Sequence, residues 1–448
     1  MPWAERHSGR PMAFFGLEPS ERRGRNETVM DPLTYLDHLS SRPIRLGLAP
    51  LLRLLASMGR PEKKYASVVV GGTNGKGSTA AMTAAILTAG GYRTGLYTSP
   101  HLLDIRERIR IDGRMIAAED LRSCADTVRR ALREDLTYFE FLTATAFHFF
   151  EQQRVDIAVL EVGMGGRLDA TNVTRPVVSV ISNISLDHGD YLGRRIEQIA
   201  REKVGIIKNN GCCLTAARQT PMIELIRETC RKRNARFFRL GGEISVRRQS
   251  DGLFSFRGLG RSYDRLGCPL RGRHQIDNAA LAIAAVSLLA EHGLAVDEAA
   301  IRRGLNETKW EGRLEILRQR PVVLVDGAHN PAGIASLCAA LKEEFRYRRL
   351  TVIFGVLDDK DYRTMLRRLA PLADHLILTR PESERSLSPA TMLPVARQYH
   401  RSVEIQETPE GALRKALAVA AEEDLVCATG SLYLVGDVKR FVDGQFET

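Results

Sequence analysis

The sequence predicts an α/β fold in two domains, each built on a mostly parallel sheet. Strand-like apolar runs alternate with helix-like stretches along nearly the whole chain, the pattern of successive βα units. The clearest runs, residues 155–162 and 177–182, are apolar almost throughout rather than at alternate positions, as strands covered on both faces are. A second series of such units begins after Trp310-Glu311-Gly312-Arg313 and places a domain join nearby.

Taken in order, residues 1–29 open the chain with an Arg-rich stretch that lacks the apolar core of a secretory signal, and they are expected to form a disordered extension. The first domain is expected over residues 30–308. Its β-branched run Ala66-Ser67-Val68-Val69-Val70 is a strand, and the alanine-rich stretch 80–89 is a helix. Strands follow at 94–97, 155–162 and 177–182, with helices at 119–133, 139–151 and 196–208. Residues 237–263 show short alternating runs between glycine turns and read as a small β excursion, and 275–294 reads as a long alanine-rich helix. A linker is expected over 309–320. The second domain, 321–448, has strand candidates at 322–326, 350–354, 375–379 and 425–429, with helices at 332–345, 361–369, 389–400 and 411–422 between them.

Composition narrows the function classes. The chain has 448 residues, 44% hydrophobic and 27% charged, as soluble globular proteins do. No apolar run approaches the roughly 20 residues that span a bilayer, so no membrane partner is expected. The seven cysteines show no C-x-x-C pair, which points to reduced thiols in a cytoplasmic protein rather than a disulfide framework or zinc site. Net charge is +11, and between Arg231 and Arg273 twelve Lys and Arg face only Glu243, Asp251 and Asp264. A nucleic-acid surface, a solvated basic face and attraction of polyanionic small substrates are three readings of that segment. The solvated face is the ordinary case, and no nucleic-acid partner is expected.

Chemistry concentrates in a few runs. Gly71-Gly72-Thr73-Asn74-Gly75-Lys76-Gly77-Ser78-Thr79 lies between a strand and a helix. Glycines there let backbone N–H groups converge on an anion, the helix start adds partial positive charge, and Lys76 reaches outer phosphates. The run departs from G-x-x-x-x-G-K-[ST]: the first glycine would fall on Val70, and Gly77 separates Lys76 from Ser78. In Tyr97-Thr98-Ser99-Pro100-His101-Leu102 the loop is either a plain proline turn or one that carries Ser99 Oγ to a Mg²⁺ ion. Glu161, at the end of a buried strand, is either a metal ligand or half of a structural ion pair, since an unpaired carboxylate there is costly. It opens the glycine-rich run 161–172, which lets backbone approach a substrate. In Ser185-Leu186-Asp187-His188 the histidine is either an ordinary satisfied residue or a metal ligand past a strand end. Lys203, read by itself, is an ordinary helix lysine.

GTNGKGST, YTSPHL, EVGMGGRLDATN, ISLDH and EKVGIIK, followed by GRHQIDNAA, WEGRLE, DGAHNP, GVLDDKD and TGSLY, stand in an order that resembles folylpolyglutamate synthases and dihydrofolate synthases of the Mur ligase superfamily. The resemblance spans about Leu33 to Val435. It implies an N-terminal P-loop ATPase domain of the Mur ligase type and a C-terminal Rossmann-like, glutamate-binding domain. It implies that Gly72, Thr73, Asn74, Gly75, Lys76, Gly77, Ser78 and Thr79 hold ATP, with Asn278 on adenine and Arg313 and Asp326 reaching across the cleft. Ser99 and Glu161 would bind one Mg²⁺, and His188 and Lys203 a second. A protonated lysine cannot ligate a cation; the resemblance implies that Lys203 is carbamylated, which makes it an anionic oxygen donor. Lys76, Lys203, His188 and His329 would carry the catalytic duties, and His329 and Ser431 would position glutamate.

The implied substrates are L-glutamate with both dihydropteroate and the γ-carboxylate of reduced folates, and a monomer is expected. Phe139, with Asp169 and Ala170, resembles the pterin side of bifunctional enzymes, whereas Phe139 and Phe141 fit a helix core equally well. A polyglutamate synthase alone and another Mur-type amide ligase stay open. A peptidoglycan ligase is disfavoured because a loop starting near residue 71 leaves no room for a preceding nucleotide-sugar domain. A nucleic-acid-dependent NTPase and a non-catalytic nucleotide module are rivals from other classes.

Overall fold

The computed structural model describes residues 31–40, 47–249 and 251–446; the extension expected over 1–29 lies outside them. The first sheet uses β1 (Ala66–Gly71), β2 (Thr94–Tyr97), β3 (Ile109–Ile111), β4 (Arg114–Met115), β5 (Ile157–Glu161), β6 (Val178–Ile181), β7 (Cys212–Thr215) and β8 (Arg236–Arg239). Their order is β4-β3-β2-β5-β1-β6-β7-β8. From β2 to β8 every pairing is parallel, and β3 and β4 add an antiparallel edge. The two apolar runs of the sequence are the central strands beside β1, and Val68, Val69, Val70, Val159 and Leu160 are fully buried.

Residues expected as one β excursion divide between two sheets. β8 closes the first sheet, while β9 (Ile244–Arg248), β10 (Phe254–Gly258) and β11 (Arg261–Leu266) form a small antiparallel sheet of order β11-β10-β9. Phe254 and Phe256 of β10 are buried beneath it. The long helix expected over 275–294 runs from Arg273 to Leu289 and packs, with helix Glu298–Glu307, on helix Lys76–Ala89.

The third sheet contains β12 (Glu315–Gln319), β13 (Val322–Asp326), β14 (Leu350–Phe354), β15 (His375–Leu378), β16 (Val403–Ile405) and β17 (Leu425–Thr429), ordered β12-β13-β17-β14-β15-β16. All pairs are parallel except β12 with β13. The stretch expected as linker, 309–320, therefore contains a strand, because Glu315–Gln319 folds back antiparallel on β13. Helices Pro331–Glu343, Tyr362–Leu369, Pro389–Tyr399 and Pro409–Val419 fill the crossovers. Ligands bind open sheets of this kind at the carboxyl ends of the strands, and these ends in the first and third sheets face one cleft.

Candidate active site in the cleft between the sheets

The loop after β1 is shaped by its neighbour β6. Gly72 has φ +130°, and a Cβ there would fall 2.0 Å from Ser182 Oγ, so only glycine fits. Thr73 N–H donates to Asn183 O at 2.9 Å, and Asn74 N–H donates to Asn183 Oδ1 at 3.0 Å. Ser182 Oγ and Asn183 Nδ2 both donate to Asn74 O, at 2.6 and 3.0 Å. Lys76 begins the helix and folds its Nζ back to Thr73 O at 3.1 Å. The unusual Gly77 has a steric reason: its Cβ would fall 2.9 Å from the Trp310 ring, which lies against the first helical turn. Backbone N–H groups at a helix start, with a lysine beside them, are an anion cradle.

Glu161 ends β5 and is buried. Burial pushes its carboxyl up, while the Lys76 ammonium and the Ser99 amide draw it back down. Ser99 N–H donates to Glu161 Oε2 at 3.1 Å, which seats the loop after β2 beside the end of β5. A hydroxyl and a carboxylate next to an anion cradle are the hard-oxygen donors that suit Mg²⁺, an ion that also keeps phosphate and water ligands. Among the described residues, no three His, Cys, Asp or Glu side chains cluster as a cation cage would need.

His188 takes a left-handed conformation, φ 53°, at the start of helix Gly189–Leu192. Burial holds its imidazole neutral, down to about 4, as a metal ligand must be. Lys203 ends helix Ile196–Lys203 and is only 4% exposed. Its Nζ donates to Gly72 O at 2.7 Å, and burial, helped by the Lys76 charge, pulls the ammonium down to about 7. Beside it lies a closed space of about 10 Å³ bordered by Lys76, Asp187 and His188, roughly one small oxygen group in size.

The third sheet supplies the other wall. Asp326 ends β13, and its carboxylate accepts from the N–H groups of Leu314 and Ala328, both at 3.0 Å. That contact holds the chain around Arg313 and the turn before His329. His329 Nδ1 donates to Gly327 O at 2.9 Å, and its Nε2 lies 3.3 Å from Asp187 Oδ2. Ser431 Oγ accepts from Tyr433 N–H at 3.0 Å, at the start of the last helix. Asn278 Nδ2 donates to Gln275 Oε1 at 2.9 Å.

The cavity between these walls is about 930 Å³. It brings together Lys76, Ser99, Glu161, His188, Asp169, Ala170, Phe139, Asn278, Arg313, Asp326, His329 and Ser431, all expected site residues. Lys203 stands behind the loop and borders only the small adjoining space. Thr79 departs from expectation. It is completely buried and borders neither space, because one residue beyond Ser78 the helix has turned its side chain into the packed interior. Phe139 and Phe141 separate as well: Phe139 lines the cavity, and Phe141 is fully buried against Tyr35. Asp169 spends its carboxylate on Thr171 N–H, Thr171 Oγ1 and Met164 N–H, at 3.0, 2.6 and 3.0 Å, so it shapes the loop it begins.

Sequence reasoning assigned nothing to Asp187, Asn330, Lys360, Ser182 or Asn183. Asp187 accepts from Lys360 Nζ at 2.8 Å and from Asn330 Nδ2 at 2.9 Å. Burial would raise its carboxyl, but His329, His188 and Lys360 outweigh that and hold it far below the usual range. Four of these five lie inside quoted motif runs or next to one, so the signal was present and only the partners were hidden.

Two family models match: the Mur ligase middle domain over residues 70–286, and the Mur ligase glutamate ligase domain over 312–432. The dihydrofolate synthase/folylpolyglutamate synthase of Bacillus subtilis is 34% identical over 410 residues, covering 89% of this chain and 95% of the relative. The solved structure of Escherichia coli FolC in complex with DHPP and ADP superposes with a TM-score of 0.87 at 32% identity, over 93% of this chain and 99% of that one. A bifunctional folylpolyglutamate synthase/dihydrofolate synthase solved with Mn, AMPPNP and L-glutamate gives 0.84 at 29% identity, over 93% and 98%.

Proposed function

The chain belongs to the Mur ligase family, in its folylpolyglutamate synthase/dihydrofolate synthase branch, and on that premise we propose how its cleft joins L-glutamate to dihydropteroate and to the γ-carboxylate of folates. It is an ATP-dependent acid–amino-acid ligase that binds nucleotide and a divalent metal. The observation that carries the mechanism is convergence: the phosphate loop, Ser99 and Glu161 on one wall face His329 and Ser431 on the other across a single cavity.

A carboxylate is a poor electrophile until its oxygen becomes a good leaving group. The acceptor carboxylate attacks the γ-phosphorus of ATP, displaces ADP and becomes an acyl phosphate; the neutral α-amine of glutamate then attacks the acyl carbon, gives up its proton and phosphate departs. The loop amides and Lys76 hold the transferred phosphoryl group and offset its charge. Ser99 and Glu161 would hold Mg²⁺, which when bound neutralises the β- and γ-phosphate oxygens. His188 and Lys203 would hold a second ion, with Lys203 carbamylated. Burial supports this assignment, because a lysine drawn to about 7 has the neutral amine that CO₂ requires. Asn278 faces the adenine, Arg313 and Asp326 stand at the seam between the walls, and Phe139 with Asp169 and Ala170 flanks the pterin. His329 has both ring nitrogens facing protein groups, which favours a positioning role over that of a free base. Closing the cleft keeps water from the acyl phosphate.

Cytoplasmic location and a monomer belong to the same reading; no helix among the described residues is long and apolar enough to cross a membrane. The test is a product assay: protein given ATP, Mg²⁺, glutamate and dihydropteroate forms dihydrofolate, and with tetrahydrofolate it forms the diglutamate. Product with tetrahydrofolate alone would reduce the assignment to a polyglutamate synthase.

A further inference from the structure

Asn330 makes more contacts than its place in the chain demands. It is the residue before helix Pro331–Glu343, and its Oδ1 caps that helix by accepting Gly333 N–H at 2.9 Å. Ser, Thr or Asp would cap as well. The amide is used otherwise. Oδ1 also accepts from Asn74 Nδ2 at 3.1 Å, while Nδ2 donates to Asn74 Oδ1 at 2.9 Å and to Asp187 Oδ2 at 2.9 Å. Two donor hydrogens and two acceptor sites are the whole capacity of an asparagine side chain, and all are occupied. Three of these bonds cross the cleft, and Asn330 is only 2% exposed.

The partner residues are fixed from behind. The Asn74 backbone belongs to the phosphate loop and is held by Ser182 and Asn183. Asp187 is met on its other oxygen by Lys360 Nζ at 2.8 Å, both side chains 5% exposed. Separating the walls would strip an asparagine pair and a buried ion pair of their partners together, and buried groups without partners are costly. The loop would also lose the side-chain anchor that complements its backbone anchors.

We propose that Asn330 is a positioning residue that transmits the seating of the third sheet to the phosphate loop through a reciprocal amide pair with Asn74, so that phosphoryl transfer is favoured only when the glutamate-binding wall is in place. The proposal rests on the ligase reading given above. It makes Asn74 a coupling residue whose side-chain amide is engaged by the opposite wall.

The experiment uses the full chain and reads glutamate-dependent phosphate release, glutamate-independent phosphate release and ADP affinity by calorimetry, for wild type, Asn74→Ala, Asn330→Ala, the double variant and Asn330→Asp. Wild type without glutamate-dependent release overturns the ligase reading itself. With an active wild type, each single alanine variant is expected to lower kcat/KM for glutamate roughly thirtyfold, while the ADP affinity of Asn330→Ala stays within about threefold of wild type. The double variant should be no worse than the poorer single one, as for two residues acting through one contact. Asn330→Asp keeps the helix cap but sets a carboxylate against Asp187, so it should lose as much activity as Asn330→Ala although the cap is intact. Additive losses in the double variant, near-wild-type turnover of Asn330→Asp, or a fall in the ADP affinity of Asn330→Ala matching its fall in kcat/KM would each overturn the coupling.

Discussion

Lys203 donates to the carbonyl of Gly72 and is only 4% exposed, a setting unlike that of a surface lysine. Burial is the leading cause that pulls it from 10.5 to about 7. The sign follows: between those values the unfolded chain keeps a proton that the folded one has released, so stability rises with pH across that window. A Lys203→Met variant should therefore melt above wild type in CO₂-free buffer, by a margin greatest below pH 7 and vanishing towards pH 10.5; equal melting curves at all pH values would place the amine in solvent. Ligase activity should collapse in Lys203→Ala and recover in part with small carboxylates such as acetate, which replace the carbamate oxygens; full activity without them would remove the lysine from the mechanism. Lys76→Ala should lower glutamate-dependent ADP formation by about a thousandfold with an unchanged melting temperature, because its partner is the loop carbonyl of Thr73 rather than the core.

The helix Tyr138–Gln152 shows at the scale of an element what sequence pattern can and cannot resolve. Its start is written locally: Thr137 and Glu140 exchange a reciprocal capping box, Thr137 Oγ1 accepting Glu140 N–H at 3.3 Å and Glu140 Oε2 accepting Thr137 N–H at 2.9 Å. Which of Phe139 and Phe141 faces the ligand is not local, since both fit an apolar face; the rest of the first sheet decides it. Phe141→Ala should cost about 3–5 kcal/mol in denaturant unfolding, and Phe139→Ala should cost little stability but raise KM for dihydropteroate roughly tenfold. Reversed effects would exchange their roles. The same limit explains other outcomes. β5 and β6 were legible because continuous apolar runs survive without context. β16 and β12 were not, because three to five half-exposed residues at a sheet edge carry too little periodicity. The phosphate loop and Glu161 were legible as types of residue at strand ends. Asp187, Asn330 and Lys360 were not, because each is defined by a partner more than a hundred positions away.

At the scale of the whole molecule, the +11 charge must be weighed against where it lies. Much of the basic segment 231–273 decorates β8 and the small antiparallel sheet, and several of its arginines are already paired: Arg236 with Glu291 at 2.6 Å, Arg265 with Asp251 at 3.0 Å and Arg273 with Glu343 at 2.7 Å. Exposed pairs of this kind add little stability, but they reduce the field that a phosphate backbone would meet. In the cleft, Lys76, Arg108 and Arg313 border one cavity whose low-dielectric walls strengthen their pull on small anions. Phosphate release measured with and without DNA or RNA should be unchanged by either polymer and should require glutamate together with a pteroyl or folate acceptor. Stimulation by nucleic acid in the absence of glutamate would mean that the basic face, rather than the cleft, sets what the ATP is used for.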